Sequence, residues 1–193
     1  MILQLFASRP AKSTIDALYG AIVAQARLPV FYLAYGVPDT VEGRFDMIVL
    51  HLALTLRRLA GEAEPQRKLG QAIFDRFCGD MDHNLREIGV GDLSVPKEMR
   101  RLTEAFYGRA EVYERAVAAT DDAKLAAALA KNVLAEAGPP SKNSVCLAVY
   151  AREVVRQLDQ SKGDSFTGGF LSFPDPDAVL ETADRKGLEQ RHD

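Results

Sequence analysis

The stretch Thr40-Val-Glu-Gly-Arg-Phe-Asp-Met-Ile-Val-Leu-His-Leu-Ala-Leu-Thr-Leu-Arg-Arg-Leu-Ala-Gly61 decides the fold. Val41, Phe45, Ile48, Leu52, Leu56 and Leu59 step by three or four, the period of a helix. Met47, Leu50 and Leu54 add apolar residues on the neighbouring faces. A helix that is apolar nearly all round has no face to give to water, so it belongs at the centre of a bundle. Thr40 is placed to cap its start, and Arg57, Arg58 and Gly61 end it. Its longest apolar run, Phe45 to Leu56, contains Asp46 and His51 and is well short of the about 20 residues a membrane-spanning helix needs.

The flanking sequence supplies a shell for this centre. Ser13 with Asp16 three residues on makes a capping-box-like start for a helix through Ala26. Pro29 opens a short helical turn, closed by Gly36 and Pro38. Pro65 fits the first turn of a helix running to Ile88. After the connector Gly89-Val-Gly-Asp-Leu-Ser-Val-Pro96, a further helix lays Met99, Leu102, Phe106, Ala110, Tyr113 and Val117 along one stripe. Arg100–Glu104 and Glu111–Arg115 stand four apart on its other face. Asp121 and Asp122 start a helix from Lys124 to Ala137, stopped by Gly138-Pro-Pro140. A last strong helix spans about Asn143 to Leu158. The expectation is an all-α, single-domain bundle of about six or seven helices over residues 1–158.

The chain has 193 residues, 47% hydrophobic and 26% charged, with a net charge of −3, which fits one soluble domain. Its acidity is local. Residues 1–158 hold 20 basic and 19 acidic side chains, and residues 159–193 hold 4 and 8. Glycines and prolines punctuate that C-terminal segment, which reads as an extended acidic arm rather than an independent domain. Phe166, Phe170, Leu171 and Phe173 should pack it onto the body, with a frayed end beyond Glu181. Met1 to Phe6 is apolar but too short for a secretory signal. A cytoplasmic location is expected, with a peripheral seat at the inner membrane left open.

Chemistry-bearing patterns are sparse. The histidines number three, His51, His83 and His192, and no Glu-x-x-His pair of a di-iron bundle occurs. His83 and Glu87 share a helix face beside Asp80 and Asp82, which reads better as a charge cluster than as a metal site. Gly89-Val-Gly91 follows a helix rather than a strand, so the context of a dinucleotide loop is missing, and a tight helix–helix turn explains it. Cys78 and Cys146 have no partner at a recognisable spacing, and no nucleophile elbow occurs. No catalytic residue, metal or cofactor is assigned, and the charge argues against direct DNA binding. The polar residues from Asp80 to Arg109 then admit two readings, a network pinning two helices or a docking face.

The segment Met81-Asp-His-Asn-Leu-Arg-Glu-Ile-Gly-Val-Gly-Asp-Leu-Ser-Val-Pro-Lys-Glu-Met-Arg-Arg101, followed by Ala105-Phe-Tyr-Gly-Arg109, resembles the ubiquinol–cytochrome c chaperone family. Tyr35-Gly-Val-Pro-Asp39, the pair Phe45-Asp46 and Phe74-Asp-Arg-Phe77 are similar to it too, so the likeness spans roughly Gly20 to Val155. The resemblance implies an all-α chaperone without catalysis, assisting assembly of cytochrome b into the bc1 complex. Its mitochondrial members work with a small partner protein near the ribosome's exit. This chain, without their long N-terminal targeting region, resembles a bacterial member. On the matching motif, Asp82, Arg86, Asp92, Arg101, Tyr107 and Arg109 are the candidate partner surface.

A chaperone for a membrane protein must cover apolar helices, and helix-in-groove binding suits a bundle. Phe31, Tyr32, Phe106, Tyr107 and Tyr113 are the candidate lining of such a groove. The rival reading is a helical module with a closed apolar pocket for a lipid or quinone-like ligand. An enzyme of unknown class stands third.

Overall fold

Met47 to Thr55 form an unbroken run of buried residues within helix α3 (Val41–Ala60), the axis around which the other elements pack. The computed structural model describes residues 10–119 and 121–189, and every regular element among them is a helix. Met1 to Phe6 and His192 lie outside the described residues.

Helix α4 (Glu64–Glu87) returns antiparallel beside α3, with Phe45 and Phe77 ring centroids 6.1 Å apart near one end and Gly70 facing Leu59 near the other. Helix α1 (Lys12–Ala26) runs parallel to α4, because Asp16 pairs with Arg76 at 3.1 Å and the Tyr19 O–H donates to Asp80 at 2.9 Å. The short helix α2 (Pro29–Leu33) follows it. Helix α5 (Val95–Ala118) comes back along α4, Phe106 meeting Phe74 at 4.9 Å, and packs on α3. Helix α6 (Asp122–Asn132) lies between α5 and α7 (Lys142–Gln160), and α7 runs alongside α3 in the same direction.

Local chemistry explains most boundaries. Thr40 caps α3 by accepting from the Gly43 N–H at 3.0 Å, and Asp121 caps α6 by accepting from Ala123 and Lys124. Arg152 donates to the Val117 and Ala116 carbonyls that end α5, at 2.6 and 3.2 Å. Arg58 donates to Leu158 and Ser161 at the end of α7, at 2.8 and 2.9 Å. Each guanidinium satisfies carbonyls that a helix end leaves orphaned, and so ties two helices together.

Three expectations need correction. Ser13 does not cap α1, which starts at Lys12 after Ala11, and Asp16 is used across the interface with Arg76 instead. Helix α6 stops at Asn132 rather than Ala137, because the chain turns there to bury Val133 and Leu134 and passes through Ala135 at φ 54°. The segment after Leu158 is not extended throughout, since it holds α8 (Gly163–Thr167) and α9 (Pro176–Glu189). Pro176, read as a breaker, is instead the first helical residue, where its missing N–H costs nothing. Asp175 accepts from the Asp177 N–H at 3.0 Å beside it. Phe166 is buried, and Leu171 and Phe173 pack on the core, but Phe170 stays 74% exposed.

A buried polar chain holds this C-terminal segment to the centre. His51 is fully buried, and its Nδ1 lies 2.8 Å from the Met47 carbonyl. That oxygen can only accept, so Nδ1 carries the proton and Nε2 accepts from the Tyr150 O–H at 2.8 Å. The Tyr150 oxygen in turn accepts from Gln25 Nε2 at 2.9 Å, and the same amide donates to the Pro174 carbonyl at 3.1 Å. Tyr35 donates to the Pro176 carbonyl at 2.8 Å. Four separate elements are joined through one imidazole.

Burial pushes His51 down to about 4, partly offset by its bond to Met47. The unfolded chain therefore takes up a proton near pH 6.5 while the folded chain resists until about pH 4. Stability from this group is full above pH 6.5 and is lost as the pH falls to 4, by up to about 1.4 kcal/mol per pH unit. Urea unfolding from pH 6.5 to 4.5 should show a steeper loss for wild type than for His51→Gln, and equal slopes would remove His51 as the cause. A second outcome concerns close approach. A Cβ on Gly43 would lie 2.0 Å from the Pro38 carbonyl oxygen, so Gly43→Ala should lower the unfolding free energy by about 1–3 kcal/mol.

Candidate functional site: an open groove between three helices

Where α5 passes over α3 and α4, small residues leave a channel among large ones. Ala60 on α3, Gly70 on α4 and Ala110 on α5 give little volume, while Leu56, Phe74 and Phe106 form the walls. Two adjoining concavities of about 290 and 250 Å³ share Leu56, Ala60, Phe106 and Tyr107. Tyr107 stands over both, with its ring 5.5 Å from those of Phe74 and Phe106 and 57% of its surface exposed. Arg57, Glu111 and Glu114 rim one side, and Arg67 and Gln71 the other. At Ala60 the channel opens onto a charged hollow bounded by Arg57, Arg58, Glu114 and Asp159.

An apolar floor, an amphipathic ring above it and charges of both signs along the rim suit an apolar or amphipathic helical segment. The channel is open along its length, a shape that receives a stretch of chain rather than enclosing a small molecule.

The other face of α5 carries a different arrangement. Two residues apart on a helix point nearly opposite ways, so Arg109 faces away from Tyr107. Its Nη2 lies 2.9 Å from Asp46 Oδ1 and its guanidinium sits 5.8 Å from the centre of the Phe45 ring. The contact is off-line, since neither Asp46 Oδ1 nor Arg109 Nε has a well-aligned hydrogen bond. Burial pushes the Asp46 carboxyl up to about 6, against the pull of Arg109 and with Glu42 adding to the rise. The Tyr113 O–H is buried nearby without a partner, its phenol raised by burial first and by Asp46 second.

The six motif residues thus fall in separate places. Asp82, Arg86 and Asp92 form an exposed cluster, with Arg86 reaching Asp82 at 2.7 Å and Asp92 at 2.5 Å. That cluster clips together the α4–α5 turn, where Gly89 takes a φ of 87° that other residues resist. Arg86 holds the Asp82 carboxyl below its usual range. Arg101 is exposed with Glu98 at 3.7 Å, Tyr107 stands over the groove, and Arg109 is turned inward to Asp46. His83 pairs with Glu87 at 3.1 Å on the surface.

The expected lining also divides. Phe106, Tyr107 and Tyr113 border the groove. Phe31 does not, because its ring is fully buried among Tyr35, His51 and Tyr150 at 4.9–5.6 Å. Tyr32 is half-buried within α2, donates to the Ala26 carbonyl at 2.8 Å and lies under Arg44. Leu56, Ala60, Gly70, Phe74 and Ala110 were not expected there. Their one sequence signal is small residues set among large ones at facing levels of three helices.

Arg109→Met should unfold more easily by about 1–3 kcal/mol at pH 7.5, since it strands a half-buried carboxylate. A carboxyl whose folded pKa is raised costs stability at high pH, and the cost fades as pH falls toward the unfolded value. The loss should therefore shrink at pH 4.5 and be largely recovered in Asp46→Asn/Arg109→Met. An equal loss at both pH values would reduce Arg109 to packing alone.

Comparison with known proteins places this geometry. The sequence model of the family described as ubiquinol–cytochrome C chaperone matches residues 33–173. Ubiquinol-cytochrome-c reductase complex assembly factor 1 of Xenopus laevis is 26% identical over 147 residues, 76% of this chain and 73% of that protein. The Homo sapiens protein of that name is 25% identical over the same length, about half (49%) of it. The crystal structure of the Cbp3 homolog from Brucella abortus superposes with a TM-score of 0.81 at 38% identity, covering 92% of this chain and 98% of that one. The matched residues include the Asp82–Arg109 segment, and the chain belongs to the ubiquinol–cytochrome c chaperone family.

Proposed function

We propose that this chain is a chaperone for cytochrome b during assembly of the bc1 complex, and that it shields an apolar segment of that client in the α3–α4–α5 groove. The observation that carries the reading is the groove itself, open to solvent and apolar-floored, in a member of an assembly-chaperone family. Its relatives' names attach them to the assembly of ubiquinol–cytochrome-c reductase. No helix among the described residues is long and apolar enough to cross a membrane. On this reading an apolar client segment is covered from outside the bilayer core. Each Å² of apolar surface covered is worth about 25 cal/mol, so a groove lined by Leu56, Phe74 and Phe106 is a useful holding site. The charged rim keeps the empty chaperone wettable and orients what enters. An open channel favours a length of polypeptide over a retained lipid or quinone.

Reduced-minus-oxidised haem spectra of a deletion strain should lose the b-type signal of the bc1 complex, and wild type should restore it. Unchanged spectra would overturn the cytochrome b reading. Tyr107→Ser/Ala110→Gln, which strips and fills the groove at two residues that are not fully buried, should restore less than about a third of that signal while keeping helical circular dichroism. Full restoration by this variant would leave the client reading standing and remove the groove.

A further inference from the structure

The most exposed large apolar side chains are not scattered. Helix α4 ends where α3 begins, as Phe45 against Phe77 shows, and α1 runs parallel to α4, so its end and α2 lie there too. Leu33, Val41, Ile88 and Leu93, exposed to 85, 81, 76 and 98%, therefore all sit at this one end. The α4–α5 turn projects furthest, since Ile88 is eleven residues and about 16 Å beyond Phe77 along α4.

We propose that this end of the bundle seats on a phospholipid bilayer, with Ile88 and Leu93 inserted below the headgroups. Two features of the turn suit it to leave water. Its flanks are satisfied from within: the N–H groups of Ile88, Gly89, Val90, Ser94 and Val95, on either side of the Gly91–Leu93 tip, donate to carbonyls of the same hairpin at 2.7–3.2 Å. Unpaired amides would make insertion costly. Its single charge, Asp92, is paired at 2.5 Å with Arg86, which it shares with Asp82. Lys97 and Arg101, exposed in the first turns of α5, stand where long cationic side chains reach phosphate groups.

The shape favours lipid over protein. A protein partner needs a complementary patch of about 800 Å² per side, whereas a fluid interface closes around any convex tip. This reading stands apart from the client reading, because vesicles without client test it.

The chain has no tryptophan, so a single one reports cleanly. Leu93→Trp should shift its emission to the blue on vesicles of phosphatidylcholine with phosphatidylglycerol, and brominated phospholipid should quench it. Phe170→Trp is the control. Residue 170 is also largely exposed, at 74% against 98% for Leu93, but Gly169 beside it lies close to Thr14 and Ala17 at the opposite end of α1. Its emission should not move. Ile88→Ser/Leu93→Ser, at positions that hold no core contact, should fold normally and float with vesicles at least about tenfold less than wild type. Unshifted Leu93→Trp emission, equal quenching at residue 170, or undiminished flotation of the double variant would each overturn the proposal. So would loss of complementation by the double variant without any vesicle response, which would assign the tip to a protein pocket.

Discussion

A helix buried on every side cannot satisfy anything with water, and that constraint organises this protein. Between Met47 and Thr55, α3 touches protein all round. Eight of those nine side chains are met by apolar packing or, for Thr55, by a hydroxyl bond to the His51 carbonyl of the previous turn. His51 alone needs partners from elsewhere. Its ring can be neutral only if one nitrogen donates and the other accepts, and Met47 and Tyr150 supply that pair. Tyr150 then requires Gln25, and Gln25 reaches Pro174. One of the C-terminal segment's attachments thus runs back to a single buried imidazole, beside the Tyr35 bond to Pro176.

The same reasoning extends to the periphery, where arginines do the joining. Arg58 and Arg152 each finish the carbonyls of a neighbouring helix, and Arg86 closes the α4–α5 turn. Arg109 is the outlier, since it faces a carboxyl that burial has pushed up to about 6 and a phenol with no partner. That arrangement gives a physical account of two sequence features that resemble the family independently, Phe45-Asp46 and Phe106-Tyr-Gly-Arg109. They are halves of one contact between α3 and α5. The neighbouring Tyr107 belongs to the groove instead, so a single four-residue motif fixes the helix on one side and furnishes the site on the other.

Much of this was legible in the chain. The step of Val41 to Leu59 announced a central helix, and Pro65, Pro96 and Asp121 marked helix starts that the structure confirms. What stayed hidden depends on contacts distant in sequence. Ser13 and Asp16 have the spacing of a cap, but Asp16 is drawn to Arg76 sixty residues away. Pro174 and Pro176 look like breakers, yet docking to Gln25 and Tyr35 holds the chain so that Pro176 can open α9. Aromatic residues suggested a groove, but aromaticity does not say which rings face inward. Phe31 is core and Phe106 is a wall because α2 and α5 approach different faces of α3. The groove is made as much by what Ala60, Gly70 and Ala110 lack, and a missing side chain has no period to read.

Helix α5 relates the groove to the exposed end. Tyr107 is twelve residues from Val95, the first residue of α5, a distance of about 18 Å along the axis. With the tip at a bilayer surface, the groove stands about that far from the headgroups, beside the membrane rather than in it. A segment lying there is outside the lipid but close enough to enter it, since a span of about 20 residues is about 30 Å long. A holding site is useful at such a height. On the proposed client reading it would cover apolar surface while the segment is still in water, and it would need no strong affinity. On that reading, transfer into lipid would replace the groove's contacts with a larger apolar environment, and release would require only that the groove cover less of the segment than the bilayer can.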